Sequence, residues 1–207
     1  MPKRLMCVDR EKLAWQEYEE EPLRGAQVRI RTEFAAAKHG TEMALYKGYA
    51  QARGIYDREW MLFRQPPEPR PAYPVAMGNM VVGRIEEVGP EVRELKVGDR
   101  VCAYGAFAQT RTIEEARCWK MPEGMSWKSA VCLDPAEFAL GAVRDGRVRV
   151  GDAVAVFGLG AIGLMAIQIA LVAGADEIQC PPLVPHVAQD AGKETQDAAT
   201  LVKALQR

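Results

Sequence analysis

The sequence predicts an α/β fold with a β-rich first part, and three stretches carry that prediction. Val28–Thr32 (VRIRT) alternates apolar and polar residues, as a half-buried strand does. From Val75 to Lys120 short apolar runs are separated by glycine turns, the punctuation of a small, partly rolled β-barrel. Val150–Ala175 (VGDAVAVFGLGAIGLMAIQIALVAGA) then reads as buried strand, tight glycine turn and helix, the start of a parallel, doubly wound sheet.

The third stretch is the most informative. A turn at Gly151-Asp152 leads into five apolar residues, Ala153–Phe157. Gly158, Gly160 and Gly163 follow with the spacing G-x-G-x-x-G, and an apolar, helix-forming run extends to Ala173, closed by Gly174. Glycine is needed for three reasons: a tight turn with positive φ, close approach of a pyrophosphate to the backbone, and close packing of helix on strand. The helix N-terminus adds free N–H groups and the positive end of its dipole. Gly158, Leu159, Gly160, Ala161, Ile162 and Gly163 are therefore candidate contacts for a dinucleotide; a purely structural strand–helix turn is the other reading of the same residues.

Composition narrows the choice of partners. Twenty-seven basic and 28 acidic residues leave a net charge of −1, which gives no footing for nucleic acid or an acidic membrane surface. Cys7, Cys102, Cys118, Cys132 and Cys180 form no C-x-x-C. They point to reduced thiols in a cytoplasm rather than to a disulfide framework or a compact zinc knuckle. The first residues, MPKRLMCVDREKLAW, have no apolar core and do not read as a signal peptide. Gly158, Gly160, Gly163 and Gly174 break up the apolar run 153–175, which argues for a buried unit rather than a membrane span.

Taken in order, residues 1–34 read as strands. Lys38-His39-Gly40-Thr41-Glu42 reads as a turn entering a short helix, with Thr41 the expected N-cap. Residues 65–74, QPPEPRPAYP, hold five prolines and read as a loop. Strands are expected at Val81–Val88, after the turn Val97–Val101, and at Phe107–Ile113; Pro122–Trp127 is expected to be a loop. Ser129–Arg144 reads as helical with an interruption at Pro135. Glu177–Cys180 is a candidate second parallel strand, PPLVP follows it, and Thr195–Arg207 has the apolar spacing of an amphipathic helix.

Four segments together give the chain a family resemblance: HGTE at 39–42, GNMVVGRIEEVGPEVRELKVGDRV at 78–101, AFAQTRTI at 106–113, and the stretch from Leu133 through the glycine turn. In order and spacing they resemble the medium-chain dehydrogenase/reductase family, the zinc alcohol dehydrogenase-like group, over residues 25 to 178. The resemblance implies a GroES-like β-barrel domain, at residues 1–140, followed by a partial Rossmann domain, at 141–207. It implies a small-molecule substrate and NAD or NADP, without deciding between the two cofactors.

The zinc positions depart from the family pattern. Where zinc-using members carry a Cys, this chain has His39. Where they carry the His and Glu of G-H-E it has Asn79 and Met80, and at the later ligand it has Asp134. A catalytic zinc wants three good protein ligands, so no zinc is expected. Thr41 falls where the family places a hydroxyl that relays the substrate proton, and with His39 it forms the candidate catalytic pair; the bland alternative is a helix cap beside an ordinary turn residue. The acid that usually holds the adenosine ribose would fall near Pro181, and Asp176 and Glu177 lie too early.

After residue 178 the chain leaves the family pattern. Two strands would leave the Ala153–Phe157 strand and the helix after it partly uncovered, so an exposed apolar surface answered by homo-oligomerisation is expected. The reading that follows is a zinc-independent, NAD(P)-dependent oxidoreductase moving hydride between nicotinamide and an alcohol, carbonyl or activated alkene. The alternative is a truncated, inactive relative that serves as a folded stub or interaction module.

Overall fold

The computed structural model describes residues 1–49, 55–64 and 73–181. It contains two compact units, the first Met1–Val131 and the second beginning at Cys132. A division at 140/141 would fall inside a helix of the second unit, α3 below.

In the first unit the strands are β1 (Lys3–Asp9), β2 (Lys12–Glu17), β3 (Gln27–Ala36), β4 (Ile55–Asp57), β5 (Leu62–Arg64), β6 (Val75–Ala76), β7 (Met80–Val88), β8 (Arg100–Tyr104), β9 (Thr110–Glu114) and β10 (Cys118–Lys120). Helix α1 (His39–Tyr46) follows β3, and α2 (Trp127–Ala130) closes the unit. Five strands form one antiparallel sheet in the order β10-β8-β7-β3-β9. A three-stranded sheet, β2-β1-β6, adjoins its end. Leu5 N donates to Phe107 O at 2.8 Å, Met77 N to Leu5 O at 3.0 Å, and Phe107 N to Met77 O at 2.7 Å. Register shifts in β3 against β7, at Arg29/Ile30 and Thr32/Phe34, supply the extra twist that curls such a sheet.

Alternation along the strands fills the core. Val28 and Ile30 of β3, Val81 and Ile85 of β7, Val101 and Ala103 of β8, and Ile113 of β9 are all buried together. The predicted Val81–Val88 strand is present and begins one residue earlier. The strand expected over Phe107–Ile113 is shorter, because residues 106–109 are occupied in joining the two sheets.

The second unit contains α3 (Leu133–Asp145), β11 (Ala153–Ala155), α4 (Ala161–Val172) and β12 (Glu177–Gln179). β11 and β12 pair in parallel, Ala153 with Glu177 and Ala155 with Gln179. The first strand is three residues long rather than the five expected, although Val156 N still donates to Gln179 O at 2.8 Å. Val143 of α3 packs with Ala170 of α4 and Ala175, and Val154 and Ile178 lie against them. The expected break at Pro135 is displaced to Val131–Cys132, between α2 and α3. Pro135 then sits in the first turn of α3, where its missing N–H costs no helical hydrogen bond. The amphipathic pattern of 195–207 lies outside the described residues. No helix of the described residues is long and apolar enough to cross a membrane.

Candidate functional site

In the second unit, the glycine turn is built as its spacing demands. Gly158 has φ +90°. Gly160 is the N-cap of α4, and the first helical bond runs from Leu164 N to Gly160 O at 2.9 Å. The N–H groups of Ala161, Ile162 and Gly163 precede that bond, so the helix itself leaves them without partners. A Cβ at Gly163 would fall on the Gly158 carbonyl oxygen, so helix and turn are in backbone contact there. A Cβ at Gly158 or Gly160 would meet nothing within 4 Å. These two glycines therefore leave open the space that a phosphate group needs. Leu159 is half-buried, while Ala161 and Ile162 are exposed on the same turn.

The turn thus sets the positive end of a twelve-residue helix beside the space left open at Gly158 and Gly160, the features that a pyrophosphate would need. The adenosine side is less complete. β12 ends at Gln179 and is followed by Cys180 and Pro181, so no acid stands where a ribose carboxylate would be expected. Asp176 and Glu177 stand at the start of β12, and Glu177 accepts a hydrogen bond from Gln179 Nε2 at 2.8 Å.

The other candidate residues lie on α1, in the first unit. The helix begins at His39, with Lys38 as N-cap and no side-chain cap bond. Thr41 is therefore in the first turn and does not cap the helix, which corrects the expected role. His39 and Thr41 are both exposed. Two residues apart on a helix, their side chains diverge by about 200° rather than facing each other.

The residue beside them, Glu42, was not among the candidates and is the buried member of the motif at 7% exposure. Its Oε1 accepts the Gly78 N–H at 2.6 Å, and its Oε2 is buried with no hydrogen-bond partner. Burial raises its pKa above the usual glutamate range, against the lowering effect of the Gly78 and Lys38 backbone contacts. Gly78 is held in place from the other side. Its φ is +115°, and a Cβ there would strike the backbone at Ala106–Phe107. The legible signal for Glu42 is the HGTE motif itself, in which it is the one carboxylate on a short helix.

Among the positions that match zinc ligands in the family, Met80 is fully buried in the core, and Asn79 is tied through its backbone to Ala36 O and Gly105 N. Asp134 is buried in the first turn of α3, in the second unit. Among the described residues no three His, Cys, Asp or Glu side chains gather as a metal would require. Of the four positions only His39 and Asp134 carry side chains that commonly ligate zinc.

A family model described as the alcohol dehydrogenase GroES-like domain matches residues 25–163. A D-guloside 3-dehydrogenase of Escherichia coli K12 is 42% identical over 184 residues, covering 85% of this chain and 53% of that protein. An (R,R)-butanediol dehydrogenase of Bacillus subtilis is 33% identical over 145 residues, covering 57% of this chain and 42% of that protein. The chain thus spans about half the length of the curated relatives it matches. Among solved structures, the 2R,3R-butanediol dehydrogenase of Bacillus subtilis aligns with a TM-score of 0.71 at 24% identity, covering 93% of this chain and 61% of that one. The alcohol dehydrogenase of Thermus sp. ATN1 aligns with a TM-score of 0.69 at 21% identity, covering 92% and 61%. Both structures share the fold, a curled β-rich domain followed by a Rossmann-type unit. The matched segment runs from β3 to the third glycine of the turn, and through it the chain belongs to the medium-chain dehydrogenase/reductase family, by way of its alcohol dehydrogenase GroES-like domain.

Proposed function

We propose that this chain is part of a zinc-independent, NAD(P)-dependent oxidoreductase that acts on a secondary hydroxyl, or the matching ketone, of a sugar glycoside. The observation that carries the reading is the open glycine cradle at the start of α4. The substrate class is taken from the guloside dehydrogenase that is 42% identical to it. When bound, the nicotinamide supplies the hydride acceptor or donor. The backbone N–H groups of the Gly158–Gly163 turn hold the pyrophosphate. Thr41 hydrogen-bonds the substrate oxygen, and His39 exchanges the released proton with water. Each acts as a separate exposed group, as their divergence on α1 requires. The same reading includes self-association through exposed apolar residues of the second unit, and a reducing cytoplasm suits the five free thiols.

Titration of the purified protein with NADH and NADPH, followed by fluorescence or calorimetry, tests the cofactor. Binding in the micromolar range is expected, and none at millimolar cofactor overturns the reading. Metal analysis after dialysis tests zinc independence: one tightly held zinc per chain would show that part to be wrong.

A further inference from the structure

Helix α1 carries Thr41 and His39, yet no apolar side chain of it is fully buried. Glu42 is its one buried residue. His39, Gly40, Thr41 and Met43 are exposed, and Ala44, Leu45 and Tyr46 are half-buried. The last turn is tied through its carbonyls: Glu11 N donates to Tyr46 O at 2.9 Å, and Tyr73 Oη to Leu45 O at 2.7 Å. The first turn is tied through the Glu42 side chain, whose Oε1 accepts the Gly78 N–H at 2.6 Å.

The donor of that bond is fixed in place. Phe107 N donates to Met77 O at 2.7 Å, Asn79 N to Ala36 O at 3.0 Å and Gly105 N to Asn79 O at 2.9 Å, so the backbone on both sides of Gly78 is held by neighbouring segments. Gly78 lies so close to Ala106–Phe107 that a Cβ would strike their backbone. Glu42 adjoins Thr41 and stands about one turn beyond His39. Its other oxygen, Oε2, is buried with no hydrogen-bond partner. Keeping a carboxylate oxygen in that state costs stability that an apolar side chain of the same size would avoid. Stability alone does not ask for a carboxylate here; the reach to Gly78 does.

We propose that Glu42 is a positioning residue that sets the first turn of α1, and with it Thr41, against the fixed Gly78 N–H. The inference rests on the role given to Thr41 above. A hydroxyl that hydrogen-bonds a substrate oxygen has to be held closely, since a displacement of about 1 Å can cost about 100-fold in rate. The glutamate acts by its length. Aspartate keeps the charge but is shorter by one C–C bond, about 1.5 Å, and cannot reach Gly78 with α1 in its place. Glutamine gives up the charge but keeps the length and the accepting oxygen. Positioning therefore ranks Gln above Asp at this site, whereas a role for the charge itself, in proton transfer or in binding, ranks them the other way.

The test uses the full chain with Glu42→Gln, Glu42→Asp and Glu42→Ala, and with Ile30→Ala as a variant whose lowered stability arises at a fully buried site on β3. Amide hydrogen exchange followed by NMR reads the tether without cofactor. Exchange at Gly78, and at Met43 and Ala44, whose helical acceptors are the carbonyls of His39 and Gly40, is expected to quicken at least tenfold in Glu42→Asp and Glu42→Ala and to stay within threefold of wild type in Glu42→Gln. Turnover of methyl β-D-guloside with NAD or NADP, measured well below each melting temperature, is expected to show kcat lowered at least tenfold with KM within twofold in Glu42→Asp. Glu42→Gln should recover kcat to within threefold, and Ile30→Ala should keep it despite the lower stability. Unchanged Gly78 exchange in Glu42→Asp or Glu42→Ala overturns the positioning role, as does turnover kept in Glu42→Asp and lost in Glu42→Gln. If Glu42→Ala does not fold, the Gln and Asp pair decides. A wild type without turnover overturns the oxidoreductase reading, and the exchange measurement then decides the tether by itself.

Discussion

Glu42 is a buried carboxylate whose surroundings oppose its charge. One oxygen is bonded to Gly78, the other is buried without a partner, and burial holds the carboxyl's pKa above the ordinary glutamate value. The folded chain therefore binds this proton more tightly than the unfolded chain does. Its contribution to stability is full below the ordinary glutamate pKa and is lost as pH rises through the raised value. Glu42→Gln, a neutral isostere, should remove that loss. Urea unfolding at pH 4, 5.5 and 7 should show the variant gaining on the wild type as pH rises, and a pH-independent difference would contradict the assignment. Thr41, by contrast, is exposed and should matter to turnover rather than to folding. In an active preparation Thr41→Ala is expected to lower kcat by about 100-fold with an unchanged melting temperature, and Thr41→Ser to retain most activity. Loss of stability in Thr41→Ala would return this residue to a merely structural role.

At the scale of the element, the glycine turn separates two roles that its spacing leaves merged. Gly160→Ala places a methyl group in open space, so the fold should tolerate it while cofactor affinity falls about tenfold or more. Gly163→Ala places one on the Gly158 carbonyl and should cost about 1–3 kcal/mol of stability, measured by urea unfolding. Equal behaviour of the two variants would mean that the turn is structural only. β3 is the corresponding centre of the first unit, paired on both sides and carrying the fully buried Ile30. Ile30→Ala should destabilise that unit by about 2–5 kcal/mol, again by urea unfolding. Both elements were legible in the sequence, because glycine spacing and period-two alternation are local marks. The start of α1 was not: a Ser/Thr preference placed the cap at Thr41, whereas the backbone turns helical at His39 with Lys38 before it.

For the whole molecule, the second unit keeps large apolar side chains in solvent, with Val150 at 86%, Phe157 at 72% and Val172 at 89% exposure. If this surface joins two copies, sedimentation velocity should show association that rises with protein concentration, and Phe157→Asp with Val172→Asp should return the protein to monomer. A wild-type monomer at high concentration would contradict self-association.

The sequence by itself determined the strand–turn–helix at 153–172, the β-rich character of the first unit and the family, since each depends on local backbone demands or on ordered motifs. Only the tertiary structure decided that Glu42 is buried, because its partner Gly78 lies 36 residues further on. It alone showed that 55–64 is a hairpin with exposed aromatics: a strand of three residues carries too little pattern to be read, and burial is settled by whatever else the chain brings near. The glycines show the same division. Spacing located them, but which one touches backbone and which one faces open space became visible only when helix and strand were set side by side.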